Sequence, residues 1–319
     1  MANTVNAATV AGPSHSDALF LKVFSGETLK SFNTKTVWKG RHREKTIASG
    51  KSAQFPAIGK ASAEYHIPGQ WINGQAINAG EKVISIDDQL VSSTFVSDYE
   101  EAMNHYETRS EYAKQMGDAL AQAYDQHLFA IATKACQAGT SGAVTEQGAA
   151  TWDKIGASPT VTNVIDAIFE GAGVFDTADI PEDDRVCFID PTMYWDIVKD
   201  GSMLNRDFGN TQASQAAGGT LKVGNFEIIP SNNLVKNFGT TTLSGSRAGS
   251  ATTEYDVDGL SSVALLAQKQ ALGTVKLMDM TTIKEFQAGR LGTLMISKYA
   301  CGHGVLRPEC LRLIDAVAA

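Results

Sequence analysis

Little cysteine, no apolar run of membrane length and no common catalytic motif define this chain by exclusion. Its four cysteines, Cys136, Cys187, Cys301 and Cys310, form no CxxC pair among 319 residues. No secretory signal is legible in Ala2 to Pro13, which is small and polar, so free thiols in a reducing compartment are expected. Cys301, His303 and Cys310 stand near one another, but their spacing matches no common zinc pattern. No uniformly apolar segment approaches the roughly 20 residues of a membrane helix, and no heptad seam is sustained.

Motifs that carry chemistry are equally scarce. There is no GxSxG elbow. Gly50-Lys51-Ser52 resembles the end of a phosphate-binding loop, yet the position of its first glycine holds Lys45, and a basic cluster precedes it instead of an apolar strand. Gly171-Ala172-Gly173 lacks the third glycine and the preceding strand of a dinucleotide fingerprint and reads as a helix end. Asp87-Asp88 and Glu182-Asp183-Asp184 lack the alternating acids of a calcium loop and read as solvated turns. His105 and His127 fall in a helical region, where a histidine is a packed or surface residue sooner than a base. No catalytic, cofactor-binding or metal-binding residue is expected.

Charge is present, but unevenly. The formal charge is −8, yet residues 1–51 carry eight Lys and Arg against three acids, giving +5 there and −13 over the remainder. The two parts attract each other, within or between chains. So acidic a body is poorly suited to general nucleic-acid binding, which rests on neutralising phosphates.

The most informative stretch is Asp98 to Ala135, with no proline and one glycine. Met116, Leu120, Ala123, Tyr124, Leu128, Ile131 and Ala135 recur at threes and fours, while Asp118, Gln122, Asp125 and Lys134 mark the expected wet face. This is far longer than the mean helix of about 11 to 12 residues. Before it, Ala18 to Phe24 reads as a short helical anchor behind Asp17 as N-cap. A two-stranded excursion follows, Lys60 to Ile67 out and Lys82 to Phe95 back. Such a hairpin is marginal alone, and aromatic residues on it, Tyr65 and Trp71, suit interface anchors. After the helix come a helical segment Val161 to Ala172, a buried strand Val186 to Ile189, a helix opening at Pro191, and a hairpin turning at Gly224-Asn225. Ser262 to Ala267, Gly273 to Phe286 and Leu294 to Cys301 read as strands, followed by an apolar tail, Leu311 to Val317.

Six blocks carry a resemblance: ALFLKVFSGE (Ala18 to Glu27), SGKSAQFP (Ser49 to Pro56), EKVISID (Glu81 to Asp87), DYEEAMNHYETRSEY (Asp98 to Tyr112), GTVKL (Gly273 to Leu277) and KYACGHGVLRPE (Lys298 to Glu309). In kind and order they resemble the major capsid proteins of T7-like short-tailed phages. The resemblance implies an α+β, HK97-like capsid fold: an N-terminal arm (1–44), an extended loop (45–97), a peripheral domain with the spine helix (98–151), an axial domain (152–271), and a peripheral sheet with the C-terminus (272–319). It implies a non-enzymatic, self-assembling shell of hexamers and pentamers around double-stranded DNA bound without sequence specificity. A separate scaffolding protein, a portal and a minor or decoration capsid protein are the implied partners. Assembly in the host cytoplasm, a place in the virion capsid, and no membrane complete the expectation. A nanocompartment shell of the encapsulin kind is the alternative. Residues expected to meet neighbouring subunits are Phe20, Phe24, Arg41, Arg43, Lys51, Tyr65, Trp71 and Arg109. Lys60, Asn73 and Asn78 are expected to be ordinary interface groups and not crosslinkers.

Overall fold

The computed structural model describes residues 15–72, 74–86, 89–97, 99, 108–144, 146–200, 222–234, 255, 257 and 262–317. Its helices are α1 (His15–Lys35), α2 (Thr108–Gln137), α3 (Val161–Thr177) and α4 (Pro191–Asp200). A four-stranded sheet runs in the order β1 (Arg43–Thr46), β10 (Leu272–Gln287), β11 (Gly292–Val305), β4 (Leu90–Ser97). The chain divides into two compact units, one of residues 1–36, 89–122 and 278–300, the other of 37–88, 123–277 and 301–319.

The first unit packs helix against sheet. β4 lies antiparallel to β11, with Val96 opposite Thr293 and Leu90 opposite Tyr299. Alternation turns Val96 and Met295 inward, where they meet Phe24 of α1 and Ala113 and Met116 of α2 in one buried cluster. The single glycine of the long helix has its reason here. A Cβ on Gly117 would stand 2.5 Å from the carbonyl oxygen of Thr28, so only glycine admits α1 so closely. Ser31 donates to Asp118 beside this crossing, and the Tyr299 hydroxyl donates to the Leu120 carbonyl at 3.3 Å.

The second unit is built on a six-stranded sheet ordered β5 (Thr151–Lys154), β12 (Leu311–Asp315), β9 (Ser262–Gln268), β6 (Arg185–Ile189), β8 (Phe226–Pro230), β7 (Lys222–Val223). β12, β9 and β6 are buried along their whole length, which is why Val263 to Ala267 and Val186 to Ile189 read as unbroken apolar runs instead of alternating ones. Thr160 caps α3 by accepting the Asn163 amide at 3.3 Å. Pro191 opens α4, and Gly224 and Asn225, with φ of +54° and +66°, make the tight turn between β7 and β8. Both features match the reading of the sequence.

Other expectations need correction. The anchor at Ala18 to Phe24 is part of a 21-residue helix, and Asp17 lies inside it instead of capping it. The excursion pairs earlier than expected: β2 (Ser52–Ile58) with β3 (Ala79–Ser85), Ser52 opposite Ser85 and Ile58 opposite Ala79. Lys60 to Ile67 is not a strand, and β4 joins β11, a strand long enough to offer it eight partners. Gly171 does not end a helix; α3 continues to Thr177, and a Cβ at Gly171 would run into Leu266 of β9. Leu311 to Asp315 is no tail but a central strand.

Candidate assembly interface

The excursion starts as the β2–β3 ladder and ends as residues 59–72 and 74–78, which have no regular structure. At its far end Gln70 donates to the Ile67 carbonyl at 3.1 Å, with Pro68 and Gly69 (φ +92°) between them. Proline second and a positive φ third define a type II turn. Its base is fastened. The Gly59 amide donates to the Asn78 carbonyl at 2.8 Å, Asn78 Nδ2 donates to Glu146 at 2.6 Å, and Lys60 Nζ pairs with Asp179 at 2.9 Å. The Lys60 ammonium holds the Asp179 carboxyl below its ordinary range, through the hydrogen bond first and its charge second.

Beyond that base the loop leaves apolar side chains in water. Tyr65 is fully exposed, Trp71 is 94% exposed, and Ile67, Ile72 and Ile77 are exposed too. Isolated exposed apolar groups need no explanation, but a cluster of this kind on one protruding element marks a surface that another chain covers.

The expected contact residues divide between the units. Arg41, Arg43, Lys51, Tyr65 and Trp71 belong to the second, Phe20, Phe24 and Arg109 to the first. Arg43 and Lys51 are exposed, whereas Arg41 turns back to donate to the Val37 carbonyl at 3.0 Å, 3.7 Å from Glu227. Phe24 is spent inside the chain, 2% exposed in the first unit's core. Phe20 lies on α1 and Arg109 in the first turn of α2; their side chains, and Asn73, lie outside the described residues.

The sequence reading missed a buried polar cluster in the second unit. Asp125, assigned to the wet face, is fully buried. Its carboxylate accepts the amides of Val37 at 2.9 Å and Trp38 at 3.3 Å, and Asn233 Nδ2 donates to it at 3.4 Å. Burial pushes its pKa up to about 7 against these bonds. Trp38 is sealed between Phe129 and Phe188, with ring centroids at 5.3 and 4.4 Å. His42 Nδ1 must donate to the Trp38 carbonyl at 2.8 Å, because a carbonyl can only accept; Nε2 is then the acceptor for the Tyr124 hydroxyl at 3.0 Å. Part of the signal for Asp125 was available: Ala121, Leu128 and Phe129, at i−4, i+3 and i+4, are apolar, while Gln122 at i−3 points the other way.

Among the described residues there is no group of three or more His, Cys, Asp or Glu placed to hold a metal, and no helix is long and apolar enough to cross a membrane. Cys301 and His303 are neighbours, Sγ to Nε2 at 3.4 Å, and all four cysteines are buried free thiols.

The family described as Gp10A-like major capsid protein matches residues 54–314. The major capsid protein of Escherichia phage T7 is 32% identical, over 92% of this chain and 90% of the relative. The minor capsid protein of the same phage is also 32% identical, over 92% of this chain and 78% of its own length. The solved capsid of cyanophage P-SCSP1u shares 38% identity and superposes with a TM-score of 0.77, covering 89% of both chains. Phage capsid chains of much lower identity share the fold as well, which is the HK97-like one. By sequence and by architecture over most of its length, the chain belongs to the Gp10A-like major capsid proteins and is a structural protein of a phage shell.

Proposed function

We propose that the chain assembles as hexamers and pentamers into an icosahedral head that encloses double-stranded DNA, with a scaffolding protein and a portal as partners, in the host cytoplasm. In this reading it performs no catalysis, and residues 1–44 are the arm, 45–97 the extended loop, 98–151 and 272–319 the peripheral domain, and 152–271 the axial domain. The observation that carries the reading is the fastened loop whose tip exposes Tyr65, Trp71 and Ile72. A loop held at its base and apolar at its end is built to be completed by another copy, and obligate interfaces bury upwards of about 2,000 Å². The basic residues Arg43 and Lys51, against the excess acid elsewhere, make the first contacts long-range and salt-sensitive.

The double variant Tyr65→Ser/Trp71→Ser tests this directly. It should remain folded, because neither ring is packed, yet yield no closed particles when expressed with scaffold and viewed by electron microscopy. Normal particles from that variant would remove the loop from the assembly mechanism.

A further inference from the structure

Three of the chain's six histidines meet in the second unit. The Tyr124 ring stands 6.0 Å from His42 and 4.9 Å from His303, while His127 lies 6.2 Å from His303 and stacks on Tyr255 at 4.0 Å and 17°. His42 and His303 are buried and His127 is mostly covered. Hydrogen bonds hold two of the three rings in place: His42 between the Trp38 carbonyl and the Tyr124 hydroxyl, His303 between the Thr274 hydroxyl at 2.9 Å and Cys301 Sγ.

The charged groups around the cluster give a proton little to rest on. Glu44 is 3.5 Å from His42 Nε2 but is already paired with Lys276, and the Asp125 carboxylate is occupied by the Val37 and Trp38 amides. Burial holds the Tyr124 hydroxyl in its neutral form. Acting on His303 are His127, His42 and Lys276, each a cation or able to become one.

We propose that this cluster is an acid-sensitive latch on residues 37–46, which carry Trp38, His42 and strand β1, and that a proton taken by His303 or His127 releases the segment from α2 and β10. The latch goes beyond the shell role: it gives one subunit two states selected by pH. The sign follows from linkage. Burial lowers all three imidazoles below their ordinary range, His127 to about 4, so the open state binds protons that the closed state refuses. The closed state is fully favoured above about pH 6.5 and loses up to about tenfold per pH unit and proton below it. Asp125, raised to about 7, works in the opposite direction, favouring the closed state as pH falls.

Hydrogen exchange followed by mass spectrometry on the full chain, with rates corrected for the intrinsic effect of pH, decides the matter. Between about pH 6.5 and 5 the amides of residues 37–46 should lose at least about tenfold in protection, while β9 and β12 keep theirs. His303→Gln and His127→Gln should each flatten that response; His66→Gln, on the exposed loop, should leave it intact. A flat profile in the unaltered protein, a loss shared equally by β9 and β12, or an unchanged response in His127→Gln would each overturn the latch, even if His303→Gln fails to fold.

Discussion

Asp125 holds the amide of Val37 at 2.9 Å from a position one would assign to solvent. Removing the carboxylate orphans that amide and the amide of Trp38, and Asp125→Ala should cost about 2 to 4 kcal/mol. The pH dependence has a definite sign. A carboxyl whose folded pKa is raised, here to about 7 from 3.8, contributes its stability below the unfolded value and loses it as pH rises through the folded one. Asp125→Asn should therefore remove one contribution that falls with pH, so that its urea midpoint rises relative to that of the unaltered chain between about pH 4 and 7.

Gly117 should not tolerate a side chain. Alanine is the better helix former by about 1 kcal/mol, but its Cβ would press on the Thr28 carbonyl at 2.5 Å and on the Ser31 Cβ at 2.9 Å. Overpacking of this kind costs about 1 to 3 kcal/mol. Thermal melts should show Gly117→Ala below the unaltered protein, and a rise would mean that the two helices have room to spare.

Two leucine-like positions on α2 should respond differently to charge. Leu128 is fully buried, while Ile131 is only half-buried and lines a cavity of about 350 Å³ together with Lys82 and Lys134. Leu128→Asp should abolish soluble protein; Ile131→Asp should fold, with two ammonium groups near the new carboxylate. Comparing their soluble yields checks the assignment, since apolar spacing alone puts both residues on one buried face.

Thiol reagents should find nothing to attack in the native chain. All four cysteines are buried, and burial pushes Cys136, Cys187 and Cys310 up to about 12, so almost no thiolate exists near neutrality. Titration with a chromogenic disulfide should give no fast-reacting thiol natively and four after unfolding. A fast thiol in the native protein would locate an opening.

Features fixed by neighbours in sequence were legible: Pro191 at a helix start, Gly224-Asn225 in a two-residue turn, the unbroken run of β9. Features fixed by distant partners were not. β4 resembled the return of a hairpin because nothing in Leu90 to Ser97 announces a partner some 200 residues on. Gly171 looked like a helix stop because its reason, Leu266, lies on another element. The exposure of Tyr65 and Trp71 could be read from their place on a polar stretch, whereas Phe24, offered beside them, sits in the apolar segment Ala18 to Phe24 and is buried.

The first unit is sewn from three separated pieces, 1–36, 89–122 and 278–300. Phe24 therefore cannot close its core until Met295 has left the ribosome. A chain that stalls early has no finished unit to offer a neighbour. The order of the segments thus makes closure of that core a condition that an unfinished chain cannot meet.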